Sequence, residues 1–273
     1  MCAAATVGRT TLALARAAHA GPTAAVTIVA VLLAQNAGND AATIGVVLVA
    51  VLAGQLSIGW SNDLLDARRD RAAGRRDKPV ATGELPGGLV RVGIAVALTG
   101  CVVASMSLGA AAGSVHLALV GCGWAYNALL KRTVWSWLPY AVAFGGLPVV
   151  ATLALDPPSL PPWWMVVAGS LLGIGAHMAN AVPDLDEDIA TGVVGLPHRL
   201  GRRGSLVVAT GVLTAASAAV VAGPAGPVPG WAWAGLVLVV GLAALALAST
   251  GRTAFRAAVT IALLDVVMLV ARG

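Results

Sequence analysis

Charge is what this chain has least of: 11% of its 273 residues are Asp, Glu, Lys or Arg, while 58% are hydrophobic. Soluble domains carry about a quarter charged residues, so a water-facing shell around one core is excluded. Aromatic residues are scarce at 4%, and no ten-residue segments of alternating polarity read as barrel strands. The three cysteines, Cys2, Cys101 and Cys122, are an odd set with two inside apolar runs. That pattern suggests neither a disulfide framework nor a cysteine-rich metal site, and they read as small packing residues.

What is present is apolar length. Mean hydropathy is +0.87, and nine runs stand between Gly, Pro and charge breaks, near 20–36, 42–60, 90–108, 112–130, 134–153, 163–182, 205–222, 231–249 and 254–271. A helix of about 20 apolar residues crosses a ~30 Å hydrocarbon layer with every backbone group satisfied. The expected fold is therefore all-α: a polytopic membrane bundle of nine transmembrane helices in one domain spanning residues 1–273. The segment 1–20 has Arg9, Arg16 and His19 ahead of an apolar stretch, as a signal peptide would. It lacks a convincing cleavage site and further spans follow, so it reads as leading into an uncleaved first helix.

Short-loop Lys and Arg orient such a chain. With the N-terminus in the cytoplasm, sixteen of the seventeen Lys and Arg residues fall on the cytoplasmic side, and only Arg272 falls outside. The opposite loops are short and Pro-rich, with Asp40 and Asp156 as their charges. Two cytoplasmic loops, 61–89 and 183–204, are long and charged. Function is expected there.

The first of these loops opens on Asn62-Asp63-Leu64-Leu65-Asp66-Ala67-Arg68-Arg69-Asp70, which holds three of the twelve carboxylates in nine residues. Asp63, Asp66 and Asp70 are spaced i, i+3, i+7, one stripe of a helix, and would repel one another unless a cation sat among them. The second loop carries Asp184-Leu185-Asp186-Glu187-Asp188, with Asp184 and Asp188 on one face and Asp186 pointing elsewhere. Hard oxygen ligands without His or thiolate partners suit Mg²⁺, which completes its shell with water and substrate phosphates. Basic residues follow: Arg75, Arg76 and Lys78, then Lys131 and Arg132, then Arg199, Arg202 and Arg203. Isolated Arg and Lys pairs at helix ends are ordinarily interfacial anchors. Clustered acids are costly at a membrane and need another reason. Carboxylates for metal, cations for a diphosphate and an apolar bundle for a hydrocarbon tail make a coherent set.

These residues resemble the UbiA superfamily of intramembrane prenyltransferases. Asn62-Asp63-x-x-Asp66-x-x-x-Asp70 is similar to that family's first motif, with Arg75, Lys78-Pro79-Val80 and Gly83 resembling the segment after it. Asp184-x-x-x-Asp188 resembles the second motif, and Gly192 with Leu196-Pro197-x-Arg199-Leu200-Gly201 its tail. Tyr126 and Lys131 are similar to a Tyr and Lys after the family's fourth helix. One departure is visible: many members have a basic residue near the position of Val194, and here either His198 or Arg199 would take its role.

The resemblance implies Mg²⁺-dependent transfer of a prenyl group from an isoprenyl diphosphate to a small acceptor, aromatic or otherwise lipophilic, with release of diphosphate. It implies that Asn62, Asp63, Asp66 and Asp70 bind one metal-diphosphate unit, that Asp184 and Asp188 bind the other, and that Arg75, Lys78 and Lys131 neutralise phosphates. Tyr126 would line the site and Arg199 would touch the diphosphate. The partners expected are the donor, the acceptor and a lipid bilayer, with no nucleic acid and no evident protein partner. The membrane would be the inner or plasma membrane, with the site facing the cytoplasm.

Other readings stay open at this point. A terpene cyclase of the same fold would use the substrate's own double bond as nucleophile. An alcohol phosphotransferase wants a Gly where Ala67 follows Asp66 and two further Asp that are missing. A cation or proton transporter would place acids nearer the bilayer midplane than both clusters lie. His19 is open between an acceptor contact and a capping role, and His177 between the cavity and the core. Asp265, deep in the last span, is expected to accept a buried hydrogen bond from a Ser, Thr or Trp. Trp60 and Trp124 are candidates for a cavity wall, and Gly173 among other glycines for close helix packing or a tunnel.

Overall fold

The structure is a computed structural model that describes the backbone of residues 2–273 and the side chains from Gly8 onward, so the side chain of Cys2 lies outside the described residues. Among those residues there is no strand. The helices are Cys2–Ala17 (α1), Ala20–Asn36 (α2), Ala41–Ala72 (α3), Pro79–Thr82 (α4), Gly87–Ser107 (α5) and Ala110–Ala128 (α6). After a 3-10 turn at Leu130–Arg132 come Leu138–Leu153 (α7), Trp163–Ala181 (α8), Leu185–Ala190 (α9), Leu196–Ala222 (α10), Gly230–Ala248 (α11) and Gly251–Arg272 (α12).

Every apolar run read from the sequence has its helix, but fewer than nine qualify as spans on length and composition. Six do so among the described residues, α3, α5, α8, α10, α11 and α12, or up to seven if the bent pair α1 and α2 is one span. The others fall short for visible reasons. Helix α7 has 16 residues, and α6 carries His116, Tyr126 and Asn127 among its glycines.

The chain turns back at each end of the bundle. At one end Asn39 donates to the carbonyls of Ala34 (3.0 Å) and Ala151 (2.9 Å), tying the α2–α3 turn to the end of α7. Arg272 lies at that end too, reaching the final carbonyls of α10, Val220 (3.5 Å) and Val221 (3.4 Å). Cations favour the negative end of a helix dipole, which gives the one basic residue outside the charge bias a role. The opposite end gathers both acidic loops and the α6–α7 turn.

Lipid tails are as apolar as the helices, so association rests on close packing and buried polar contacts. A Cβ added at Gly173 of α8 would run into the Tyr140 carbonyl of α7, so Gly173 is a packing position and not part of a tunnel. Asp265 of α12 is 1% exposed and accepts from the Ser217 hydroxyl of α10, the kind of partner the sequence led one to expect. His116 likewise has a buried partner in the Ser105 hydroxyl, 2.7 Å from Nδ1.

The first two helices meet at 71°. The corner is His19, which has φ 54°, the only positive φ of a non-glycine residue among those described. Helix α1 therefore lies across the end of the bundle, where Trp60 Nε1 donates to the Leu14 carbonyl (3.0 Å). Arg16 reaches Glu84 (3.0 Å) and the Asp77 carbonyl (3.1 Å). The corner can press onto α3 because residue 59 is glycine: a Cβ there would stand 2.5 Å from the Ala18 carbonyl oxygen.

Gly59→Ala is expected to destabilise the protein by about 1–3 kcal/mol, seen as a lower unfolding temperature in detergent. Gly45→Ala and Gly121→Ala, where a Cβ meets nothing within 4 Å, should be neutral or stabilising by up to about 1 kcal/mol.

Candidate functional site

Helix α3 runs for 32 residues without a break, so the first acidic motif sits on its last turns, beyond the segment 42–60. The spacing read from the sequence is realised: Asp63, Asp66 and Asp70 share one face and are 1%, 4% and 3% exposed. Three ionised carboxylates cannot be buried together without compensation. Lys78 Nζ lies 2.9 Å from Asp63 Oδ1. Lys131 Nζ lies 2.7 and 2.6 Å from the two oxygens of Asp66 and 3.2 Å from Asn62 Oδ1. Arg69 donates through one terminal nitrogen to Asp66 Oδ2 (3.0 Å) and Asp70 Oδ1 (3.3 Å).

Local structure aims these cations. Lys78 immediately precedes the four-residue helix α4, whose end is held by Arg71 donating to the Ala81 carbonyl (3.0 Å). Lys131 sits in the 3-10 turn after α6. Asn127 anchors that turn by donating to the Ile58 carbonyl (2.9 Å) and Ser61 Oγ (3.0 Å) of α3. Burial pushes the Lys131 ammonium below its ordinary pKa, and Asp66 pulls it part of the way back.

His19 joins this cluster from the α1–α2 corner. Its Nε2 is 3.1 Å from Lys78 Nζ, 3.4 Å from Asn62 Nδ2 and 3.9 Å from Asp63 Oδ1. With two donors facing it, Nε2 is assigned as the unprotonated acceptor. Burial, and then the Lys78 charge, hold this imidazole below its usual pKa. Nothing in the sequence near residue 19 announces the contact, since it follows from the left-handed corner.

The second motif is built differently. Asp184 precedes the six-residue helix α9 without a side-chain cap, and the Asp188 amide bonds its carbonyl at 2.9 Å, so the two acids lie one turn apart. Asp184 is exposed and the Asp188 side chain is 28% exposed. The Gly195 amide donates to His198 Nδ1 (3.0 Å), which leaves the proton on Nε2, 3.2 Å from Asp188 Oδ2. Of the two candidates for the basic group near Val194, His198 is the one on the motif, whereas Arg199 is exposed. Asp186 points away and pairs with Arg202 (2.8 Å).

Arg75 joins the two loops. It is bidentate to Asp77 (2.9 and 2.7 Å) and reaches Glu187 Oε1 at 2.9 Å. The hydrogen bonds from Arg75 hold the Asp77 carboxyl at about 2. Behind the acids stands an aromatic wall. Tyr126 meets Tyr140 edge-on at 5.1 Å and His177 at 5.7 Å, with Tyr140 and His177 4.7 Å apart. Ser136 Oγ accepts from the Leu196 amide (3.0 Å) and is 3.0 Å from His177 Nε2, linking the α6–α7 turn to the second loop. Trp60 and Trp124 are not this wall. They bond the Leu14 carbonyl and Ser57 Oγ (3.2 Å) and pack with Ala13, Ala17 and Leu85.

Among the described residues no three His, Cys, Asp or Glu side chains are placed to share an ion. Lys78, Lys131 and Arg69 pair with the first motif, and Arg75 bridges to Glu187 in the second loop. Yet the cluster is incomplete. Asp63 Oδ2 and Asp70 Oδ2 are buried acceptors with no partner, and Arg69 Nε and its second terminal nitrogen are buried donors with none. Such orphans cost about 1–3 kcal/mol each. Hard carboxylate oxygens fit a small divalent cation, and the free guanidinium edge fits an anion.

No curated protein matches the chain. Among solved structures it is similar to a UbiA homologue from Aeropyrum pernix K1, with TM-score 0.73 and 17% identity over 92% of this chain and 98% of that one. A digeranylgeranylglyceryl phosphate synthase structure aligns with TM-score 0.70 and 16% identity over 96% of this chain and 98% of that one. A UbiA homologue from Archaeoglobus fulgidus bound to GPP and Mg²⁺ gives TM-score 0.70 and 14% identity over 95% and 99%. These likenesses share the fold. The family match itself covers residues 23–264, both acidic motifs included, and the chain belongs to the UbiA prenyltransferase family.

Proposed function

We propose that this integral membrane protein transfers a prenyl group from an isoprenyl diphosphate to a small lipophilic acceptor, with Mg²⁺ and release of diphosphate. The observation that carries this reading is the pairing of orphans in the first motif. Two buried carboxylate oxygens and two buried guanidinium nitrogens have no hydrogen-bond partner within the protein, and a metal-bound diphosphate would supply partners to both. Family membership supports it, as do the Archaeoglobus fulgidus homologue structures with GPP and Mg²⁺ or DMAPP and Mg²⁺.

Asn62, Asp63, Asp66 and Asp70 would hold metal on one side of the diphosphate, and Asp184 and Asp188 on the other. When bound, Mg²⁺ supplies charge that stabilises the departing diphosphate. Lys78, Lys131 and Arg75 approach the same charge from fixed positions, which costs little reorganisation as it develops. The allylic carbon–oxygen bond breaks with its electron pair leaving on the diphosphate, the acceptor forms the new carbon bond, and the acceptor's proton passes to the released diphosphate. Tyr126 and Tyr140 offer aromatic faces to the cationic carbon between those steps. His19 is placed to meet the polar end of the donor beside Asp63.

The membrane arrangement proposed is nine spans with the N-terminus and the site in the cytoplasm. Its support is that residues 61–89, 131–137 and 183–204 meet at one end of the bundle, through Lys131 with Asp66 and Arg75 with Glu187. This is the end to which the charge bias assigns the cytoplasm.

With a prenyl diphosphate, Mg²⁺ and a lipid extract as acceptor source, the purified protein should release diphosphate, and EDTA should stop it. Asp63→Ala and Asp184→Ala should each lower turnover by at least about 100-fold while the melting profile stays folded. A cyclised product formed without any acceptor would reassign the protein as a cyclase, and no release from any prenyl diphosphate would end both readings. For the topology, cysteines introduced at Gly74 and Ser249 should react with a membrane-impermeant maleimide only in inverted vesicles. One at Ser159 should react only in right-side-out vesicles.

A further inference from the structure

Arg69 is within the first motif but is not one of its acids, and the geometry gives it a function of its own. Residue 69 is i+3 from Asp66, and helical side chains lean toward the N-terminus, so its guanidinium falls back over that carboxylate. All of its pairing runs through one terminal nitrogen, 3.0 Å from Asp66 Oδ2 and 3.3 Å from Asp70 Oδ1. The other two nitrogens are buried without a partner, and the side chain is only 20% exposed. A guanidinium ordinarily presents its donors in a fork that matches phosphate. Here a single tine is used.

We propose that Arg69 is a diphosphate ligand that occupies the metal's place on Asp66 and Asp70 until the metal arrives. The proposal rests on the reading of this site as one for a metal-bound diphosphate. A divalent cation that takes Asp66 and Asp70 strips Arg69 of both its acceptors and leaves five N–H groups facing the anion the metal brings. Metal alone must displace a buried guanidinium that gains nothing in return. Diphosphate alone reaches only the Arg69 nitrogens that the carboxylates leave free, and meets the negative charge of those carboxylates. Together each removes the other's obstacle, so the two ligands bind with positive coupling, and each must strengthen the other by the same factor. Lys131, which shares Asp66, would be released by the same exchange.

The test is calorimetric titration of the full-length protein in detergent with Mg²⁺ and inorganic pyrophosphate, each alone and each in the presence of the other. Wild type is expected to bind Mg²⁺ weakly alone and more tightly with pyrophosphate, and the reverse titration should show the same factor. Arg69→Gln should weaken pyrophosphate binding in Mg²⁺ by about tenfold or more, yet bind Mg²⁺ alone more tightly, because a competing cation has gone. Opposite signs are the discriminating result, since a merely damaged site loses both ligands. Arg68→Gln, on the exposed neighbour, should behave as wild type. Unchanged pyrophosphate affinity in Arg69→Gln, or parallel loss of both ligands, overturns the role of Arg69 and leaves the proposed function standing. Failure of wild type to bind pyrophosphate in Mg²⁺ would remove the proposed function itself. Should Arg69→Gln not fold, Arg69→Lys keeps the charge and loses the fork. It should lose pyrophosphate affinity several-fold with Mg²⁺ affinity kept, and equal pyrophosphate affinity would overturn the role.

Discussion

Three carboxylates buried on one helical stripe, at the end of an apolar bundle, dictate much of what surrounds them. Ionised and unpaired, each would carry a penalty of several kcal/mol. The chain answers with cations drawn from three places: Arg69 on the same helix, Lys78 from the loop after it, and Lys131 from the turn after α6. Each requires its own support. Lys78 depends on α4, which depends on Arg71, and Lys131 depends on Asn127 locking α6 against α3. The stability of the resting protein and its readiness for a ligand are thus set by the same contacts.

Close approach of backbones makes those supports possible. Without a side chain at Gly59 the α1–α2 corner can rest on α3, which brings His19 to within 3.9 Å of Asp63. Helix α1 is then pinned by Trp60 and Arg16. Gly173 performs the same service between α7 and α8, where Tyr140 and His177 must lie against each other. In a bilayer, where helices gain little from hiding apolar surface from one another, such contacts carry the packing.

The sequence disclosed the periodic features well. Most apolar runs became helices within a few residues, though 42–60 continues as helix to Ala72 and 205–222 begins nine residues earlier at Leu196. The i, i+3, i+7 spacing became a buried stripe, and Asp265 found the hydroxyl that its depth in the last span called for. Residues whose roles depend on where the chain bends were much harder to read. His19 matters because of a left-handed corner, Glu187 because Arg75 crosses between loops, and Ser136 because the α6–α7 turn meets the start of α10. Tyr140 and His177 could not be told from ordinary core residues until their helices were packed. Trp60 shows the converse: an aromatic beside the motif, its indole nitrogen is used in holding α1. Arg69 was visible as a charge but not as a contact, since only coordinates show which of its nitrogens are used.

The two halves of the site also differ in what they can do. The first motif is carried by a continuous helix and is buried, so its carboxylates are fixed relative to the bundle. The second lies on six helical residues followed by glycines at 192 and 201, both with positive φ, and its first acid is exposed. The second motif is thus less enclosed than the first. The Arg75–Glu187 contact is the ion pair between the two loops, and Arg75 is held by Asp77 on the side of the first motif. The burial that makes the first motif costly in the resting state is also what makes it the fixed reference for the rest of the site.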